Sequence, residues 1–235
     1  MKIIDQSEFN SYFRRFGKKI SSAAIWSMAS QSLGAPELYV KLYNATKILK
    51  YLNLKINDNN LGLYIKRISI SIVFNLIGVV FLLISIAFSL IGVFLLSINP
   101  SVTIMFTTSI FLMLLLLILI SQIFSYIIEV NAWGHLNAFF FSLNETSHGA
   151  GLIESGTKKI RKGCLALFIS SLLGIIFVVF GLNSLPYIAI NTPDFFELVS
   201  TILGLGVLAG IPYFIGRILL TKGYFEISDL KKISS

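Results

Sequence analysis

Residues 68–98 and 102–128 contain no Asp, Glu, Lys, Arg or His, and only Asn99, Pro100 and Ser101 part them. An uncharged apolar run of about 18 or more residues reads as a membrane-spanning helix, because about 20 residues cross ~30 Å of hydrocarbon. Two such runs around a short Asn-Pro-Ser turn make a helical hairpin in a bilayer. The first run holds 31 residues, or ~46 Å of helix at ~1.5 Å per residue. That exceeds the hydrocarbon, so the helix must tilt or protrude.

Composition agrees. Charged residues are 13% of the chain, about half the share in a soluble domain, and mean hydropathy is +0.83. The single cysteine, Cys164, excludes an intramolecular disulfide. Residues 1–10 carry no apolar core of a signal peptide.

Residues 1–66 are expected to form a basic helical segment outside the hydrocarbon. Phe9, Tyr12, Phe13 and Phe16 share a helical face beside Arg14, Arg15, Lys18 and Lys19, a short basic amphipathic helix. Residues 20–34 are rich in small side chains, too polar for a span; whether they touch the membrane stays open at this point. Gly34 would end that helix and Pro36 start the next. Leu38, Leu42, Ala45, Leu49 and Leu52 then step by helical intervals, an apolar seam suited to core packing or to a partner helix. Residues 57–62 form a turn cluster.

The expected order is then a first transmembrane hairpin (67–130), a polar joint (131–163), a second hairpin (164–221) and a tail (222–235). The second hairpin has a loop around Leu185 and Pro186 and a fourth span at 198–216. Eleven of the 19 Lys and Arg lie in residues 1–67, four in the joint and four from Arg217 onward. The loops 99–101 and 185–197 carry none, and the positive-inside rule puts both termini and the joint in the cytoplasm of a cell-membrane protein. LIGVVF from Leu76 and LLGIIF from Leu172 lie 96 residues apart. They suggest a tandem repeat whose hairpins point the same way.

Small and polar residues run in stripes. Ser71, Asn75, Gly78, Ser85, Ser89 and Gly92 follow one heptad line, Gly163, Ser170, Gly174 and Gly181 another, and Gly206 with Gly210 makes a G-x-x-x-G. In lipid such lines are packing faces, since small residues let backbones approach; a polar path lining is the alternative. Gln122, Ser125 and Glu129 share a face at the end of the second span, where Glu129 reads as an interfacial charge. Lys158, Lys159, Arg161 and Lys162 form the densest basic cluster, suited to anionic lipid head groups or to halting translocation.

No catalytic signature is present: no H-E-x-x-H, G-x-S-x-G or P-loop. His135 and His148 with one distant cysteine do not make a metal site. No cofactor is expected. The charges sit at membrane edges without a nucleic-acid motif, so nucleic acid is not an expected partner.

AWGHLNAFF from Ala132, GLIESGTKKIRKG from Gly151 and GYFEISDL from Gly223 resemble archaeal multi-pass membrane families of unknown function, over residues 66–230. That resemblance implies repeated helical hairpins and no activity. The expectation is therefore an all-α membrane protein with four transmembrane helices as two hairpins. Its leading function is a non-enzymatic scaffold or accessory subunit, bound to membrane lipids and to other subunits or to itself. The alternative is a small oligomeric transporter or channel with a Ser/Asn-lined path.

Overall fold

The computed structural model describes residues 6–29, 36–95, 100–142, 148–188 and 195–232. Six helices follow one another: α1 (Gln6–Ala29), α2 (Pro36–Ile56), α3 (Asn59–Leu95), α4 (Pro100–Ser142), α5 (His148–Ile188) and α6 (Phe195–Ser228), closed by a 3-10 turn at Asp229–Lys232. Asn57 and Asp58 apart, every described residue is helical and none lies in a strand. Among the described residues, three stretches are long and apolar enough to cross a membrane: Asn59–Ile91, Phe106–Ser142 and Gly151–Asn183. The chain is thus an all-α protein of membrane type. The expected fourth span belongs to α6 and is not among those three.

Pro36 opens α2 and Pro100 opens α4, as suits a residue whose missing N–H would be unbonded there anyway. Gly34, Asn99 and residues 189–194 lie outside the described residues. The loop expected at Leu185 and Pro186 is corrected: α5 continues through both to Ile188. Between α2 and α3, Asn57 takes the left-handed conformation (φ 52°) that Asn tolerates better than most residues. Asp58 caps α3, its Oδ1 accepting from the Leu61 N–H at 2.9 Å.

The boundaries expected at 66, 130, 163 and 221 all fall inside helices. Within the expected joint, residues 131–142 belong to α4 and 148–163 to α5, and 143–147 lie outside the described residues. α3, α4 and α5 hold 37, 43 and 41 residues, ~55–65 Å each, about twice the hydrocarbon thickness. The surplus length builds a core at one end. Phe13, Phe16 and Ile20 of α1, Leu42, Leu49 and Leu52 of α2, Ile68 and Ile72 of α3, Trp133 and Leu136 of α4, Ile160 and Leu167 of α5, and Leu220 and Tyr224 of α6 are buried together. Both amphipathic N-terminal helices thus spend their apolar faces inside the molecule.

α3 packs on α4, α4 on α5 and α5 on α6, while α3 and α6 do not pack against each other among the described residues. The α1–α2 pair closes that gap, α1 lying on α6 and α2 on α3. The close contacts of α5 with α6 are backbone to backbone. A Cβ on Gly163 would stand 2.8 Å from the Gly216 carbonyl oxygen, and one on Gly223 2.6 Å from that of Gly156. One heptad further, Ser170 Oγ donates to the Ala209 carbonyl at 2.8 Å. The matching face of α6 is therefore Ala209, Gly216 and Gly223. Among the described residues, Gly206 and Gly210 have nothing within 4 Å of where a Cβ would project. Gly78 and Gly174 both face α4, at Ser121 and Leu119.

Gly163→Ala and Gly216→Ala are each expected to lower stability by about 1–3 kcal/mol, the usual cost of overpacking. Gly206→Ala, into open space, should be neutral or raise stability by up to ~1 kcal/mol through helix propensity. Thermal unfolding in detergent micelles distinguishes the two groups; equal effects would contradict the glycine register.

Candidate functional site

The buried polar groups gather where the core gives way to the apolar ends of the helices. Ser71 and Asn75 lie one turn apart on α3, Ser125 and Glu129 one turn apart on α4, and Cys164 faces them from α5; all five are buried. Spacing of four residues puts each pair on one helical face. The antiparallel α3–α4 hairpin sets the two faces against each other.

Glu129 is the acceptor of the cluster. Its Oε1 receives Ser71 Oγ at 2.6 Å and Asn75 Nδ2 at 3.2 Å, and its Oε2 receives Cys164 Sγ at 3.3 Å. Ser71 and Ser125 hydroxyls lie 2.7 Å apart. Ser71 has one proton and gives it to Glu129, so Ser125 donates to Ser71. Asn75 Nδ2 also donates to Ser125. Every proton in the set then has an acceptor, and three helices are tied through one carboxyl group.

Arg217 of α6 is buried nearby, its guanidinium carbon 5.8 Å from the Tyr213 ring centroid. Tyr39 of α2 reports both charges. Burial pushes its phenol well above the usual range, Glu129 adds to that, and Arg217 opposes it. Tyr224 is raised too, first by burial and next by Glu129. Neither phenol can act as a base near neutral pH. Cys164 is a fully buried hydrogen-bond donor, and a reactive cysteine needs access and a stabilised thiolate. Among the described residues no three His, Cys, Asp or Glu stand close enough to hold a metal ion. The arrangement joins α3, α4 and α5 through one carboxyl group, and all five of its side chains are buried.

The structure divides the expected site residues. Ser71 and Asn75 enter the Glu129 cluster. Gly78 would place a Cβ 2.9 Å from Ser121 Oγ, and Gly174 one 3.2 Å from the Leu119 side chain. Ser85 is buried, whereas Ser89 is exposed and donates to its own helix at the Ser85 carbonyl. The basic cluster is spread around α5: Lys159 is paired with Glu226, while Lys158, Arg161 and Lys162 are exposed. Sequence reasoning gave Glu129 to the interface and counted Arg217 only toward topology. The signal for Glu129 was present: Ser71 and Glu129 each lie 29 residues from Pro100, and Asn75 and Ser125 each 25. A hairpin turning at Pro100 must bring each pair to one height.

Glu129→Leu is expected to cost about 2–4 kcal/mol, because it leaves several buried donors without an acceptor. A double-mutant cycle of Ser71→Ala with Glu129→Gln should show a coupling of about 0.5–3 kcal/mol; additivity would break the proposed link. Cys164 in the native protein should resist a membrane-permeant maleimide and react on unfolding. No family model, curated protein or solved structure matches this chain, so its function rests on its own geometry.

Proposed function

We propose that this chain is a non-enzymatic integral membrane scaffold or accessory subunit, with four spans and both termini in the cytoplasm. One observation carries this reading: the polar stripe that would line a path is hydrogen-bonded across to α4 at Ser71 and Asn75. Side chains spent on holding helices together do not offer a wet surface to a substrate. The Ser/Asn-lined channel loses its main support for that reason.

The topology has support of its own. The N-terminal helices, residues 131–163 and the chain's last helical turns contribute to one core, which supports a location on one side of a membrane. They are also the regions that hold the Lys and Arg, and the positive-inside rule favours the cytoplasm for that side. α6 lies antiparallel to α5 along the glycine register and so runs in the direction a fourth span requires.

A scaffold needs outward surface. The apolar ends supply much of it, with Leu83, Leu90, Phe106, Val207 and Phe214 each more than half exposed, and lipid or neighbouring subunits would cover them. On the cytoplasmic side the contact surface is the polar outer face of α1, where Arg15, Lys18 and Lys19 are exposed, since the apolar face is used internally.

Purification of the tagged full chain from its native membrane should yield a stoichiometric membrane partner. Arg15→Glu with Lys18→Glu and Lys19→Glu should release that partner without changing the unfolding temperature. An isolated homo-oligomer that conducts ions or solutes in liposomes would overturn this reading. In a Cys164→Ala background, cysteines at positions 100 and 190 should label from outside the cell; labelling only from inside would refute the topology.

A further inference from the structure

Between α2 and α3 lies a groove of about 690 Å³, within the ~300–1,000 Å³ range of small-molecule sites. Lys47 and Lys50 of α2 and Lys66 of α3 line it, and its lining includes no Asp or Glu. It ends at Ser69, where the uncharged run of α3 begins, so it opens at the membrane surface. We propose that this groove binds a phosphate-bearing anion, its charge met by Lys47, Lys50 and Lys66.

Lysines at a membrane edge are common and often mark topology alone. Three features set these apart. First, they come from two helices and converge on one cavity. Second, none of the three forms an ion pair among the described residues, whereas Lys55, Lys159 and Lys232 are each paired with a carboxylate. Glu8 is engaged with Lys55, and Asp58 caps α3. Third, the two aliphatic hydroxyls of the lining are spent locally, while Tyr43, Tyr51 and Asn53 add polar groups beside the lysines. Thr46 donates to the Leu42 carbonyl and Ser69 to the Ile65 carbonyl, and the lysine ammoniums are the charged donors. Lys47 already lies over the Tyr43 ring, 4.8 Å from its centroid, which directs its long side chain along the groove wall. Three ammonium groups with no acid among them repel one another until an anion joins them, and phosphate oxygens accept from ammonium groups well. The anion is either a lipid head group, with its acyl chains continuing along α3, or free phosphate.

The full-length protein in detergent tests this by thermal unfolding against four additions: phosphatidylglycerol, phosphatidylcholine, inorganic phosphate, and chloride at matched ionic strength. Phosphatidylglycerol should raise the unfolding temperature where phosphatidylcholine does not. Lys47→Gln, Lys50→Gln and Lys66→Gln should each weaken the apparent affinity about fivefold, and together on the order of a hundredfold. Lys158→Gln with Lys162→Gln should leave it unchanged. If inorganic phosphate alone reproduces the effect, the ligand is the free anion; if only the lipid does, it is the head group. Both outcomes support the groove. The proposal is overturned if neither addition stabilises the wild-type protein, if the groove variants bind as it does, or if the α5 variant loses as much as they do. Each result leaves the scaffold reading standing, because it rests on the Glu129 cluster and not on this groove.

Discussion

Trp133 is the piece on which the closure of this molecule depends. It is fully buried on α4, and its ring packs edge-on against Tyr64 of α3 at 5.4 Å and Tyr224 of α6 at 5.8 Å. α3 and α6 are not neighbours, so a large flat side chain is what lets one residue touch both. Aromatic pairs in this geometry add about 0.5–1.5 kcal/mol beyond their buried area. The remaining opening between α3 and α6 is filled by α1 and α2, whose Phe13 reaches Phe140 of α4 at 4.7 Å. The six helices thus close a ring of contacts, and Trp133 links α3 to α6 across it.

Two sets of packing rules meet along the same helices. In the core, bulky Phe, Leu, Ile, Tyr and Trp side chains are removed from water, which is the driving force there. Further along, lipid is as apolar as leucine, so association falls back on close approach and on hydrogen bonds. Ser170 against Ala209 belongs to the second regime, while Gly163 against Gly216 lies among the core residues Leu167 and Leu220. Gly156 against Gly223 continues the same register in the first. One heptad-spaced seam therefore aligns α5 and α6 in both environments, and the two regimes cannot slip relative to each other.

The helical class, the two N-terminal helices and the turn at Asn57 were legible in the sequence, because periodicity and turn chemistry are local. What local pattern does not encode is where a long helix stops being membrane and starts being core. The 31-residue run from Ile68 showed that surplus length existed. Only the positions of Ile68 and Ile72 in the core show where it went. The polar stretch 131–163, expected as a joint, likewise gave no local sign of its inner faces, which hold Trp133, Leu136 and Ile160. Gly206 and Gly210 show that a small-residue motif names a face without naming its partner. The working glycines of α6, Gly216 and Gly223, lie on a seven-residue spacing outside that motif.

The Glu129 cluster settles between the two regimes, and its position has a physical reason. A carboxyl group deeper in hydrocarbon would face a desolvation cost of several kcal/mol without donors to meet it. One placed in water would contribute little, since exposed polar pairs are worth ~0–1 kcal/mol. At the boundary, Glu129 is removed from water yet reached by Ser71, Asn75 and Cys164. Hydrogen bonds to such a group are strong and directional there, and a one-residue slip of α3 on α4 would break several together. Apolar packing tolerates such a slip more readily, because it has no donor–acceptor direction. The cluster therefore fixes α3, α4 and α5 in one register at the level where hydrophobic burial stops discriminating.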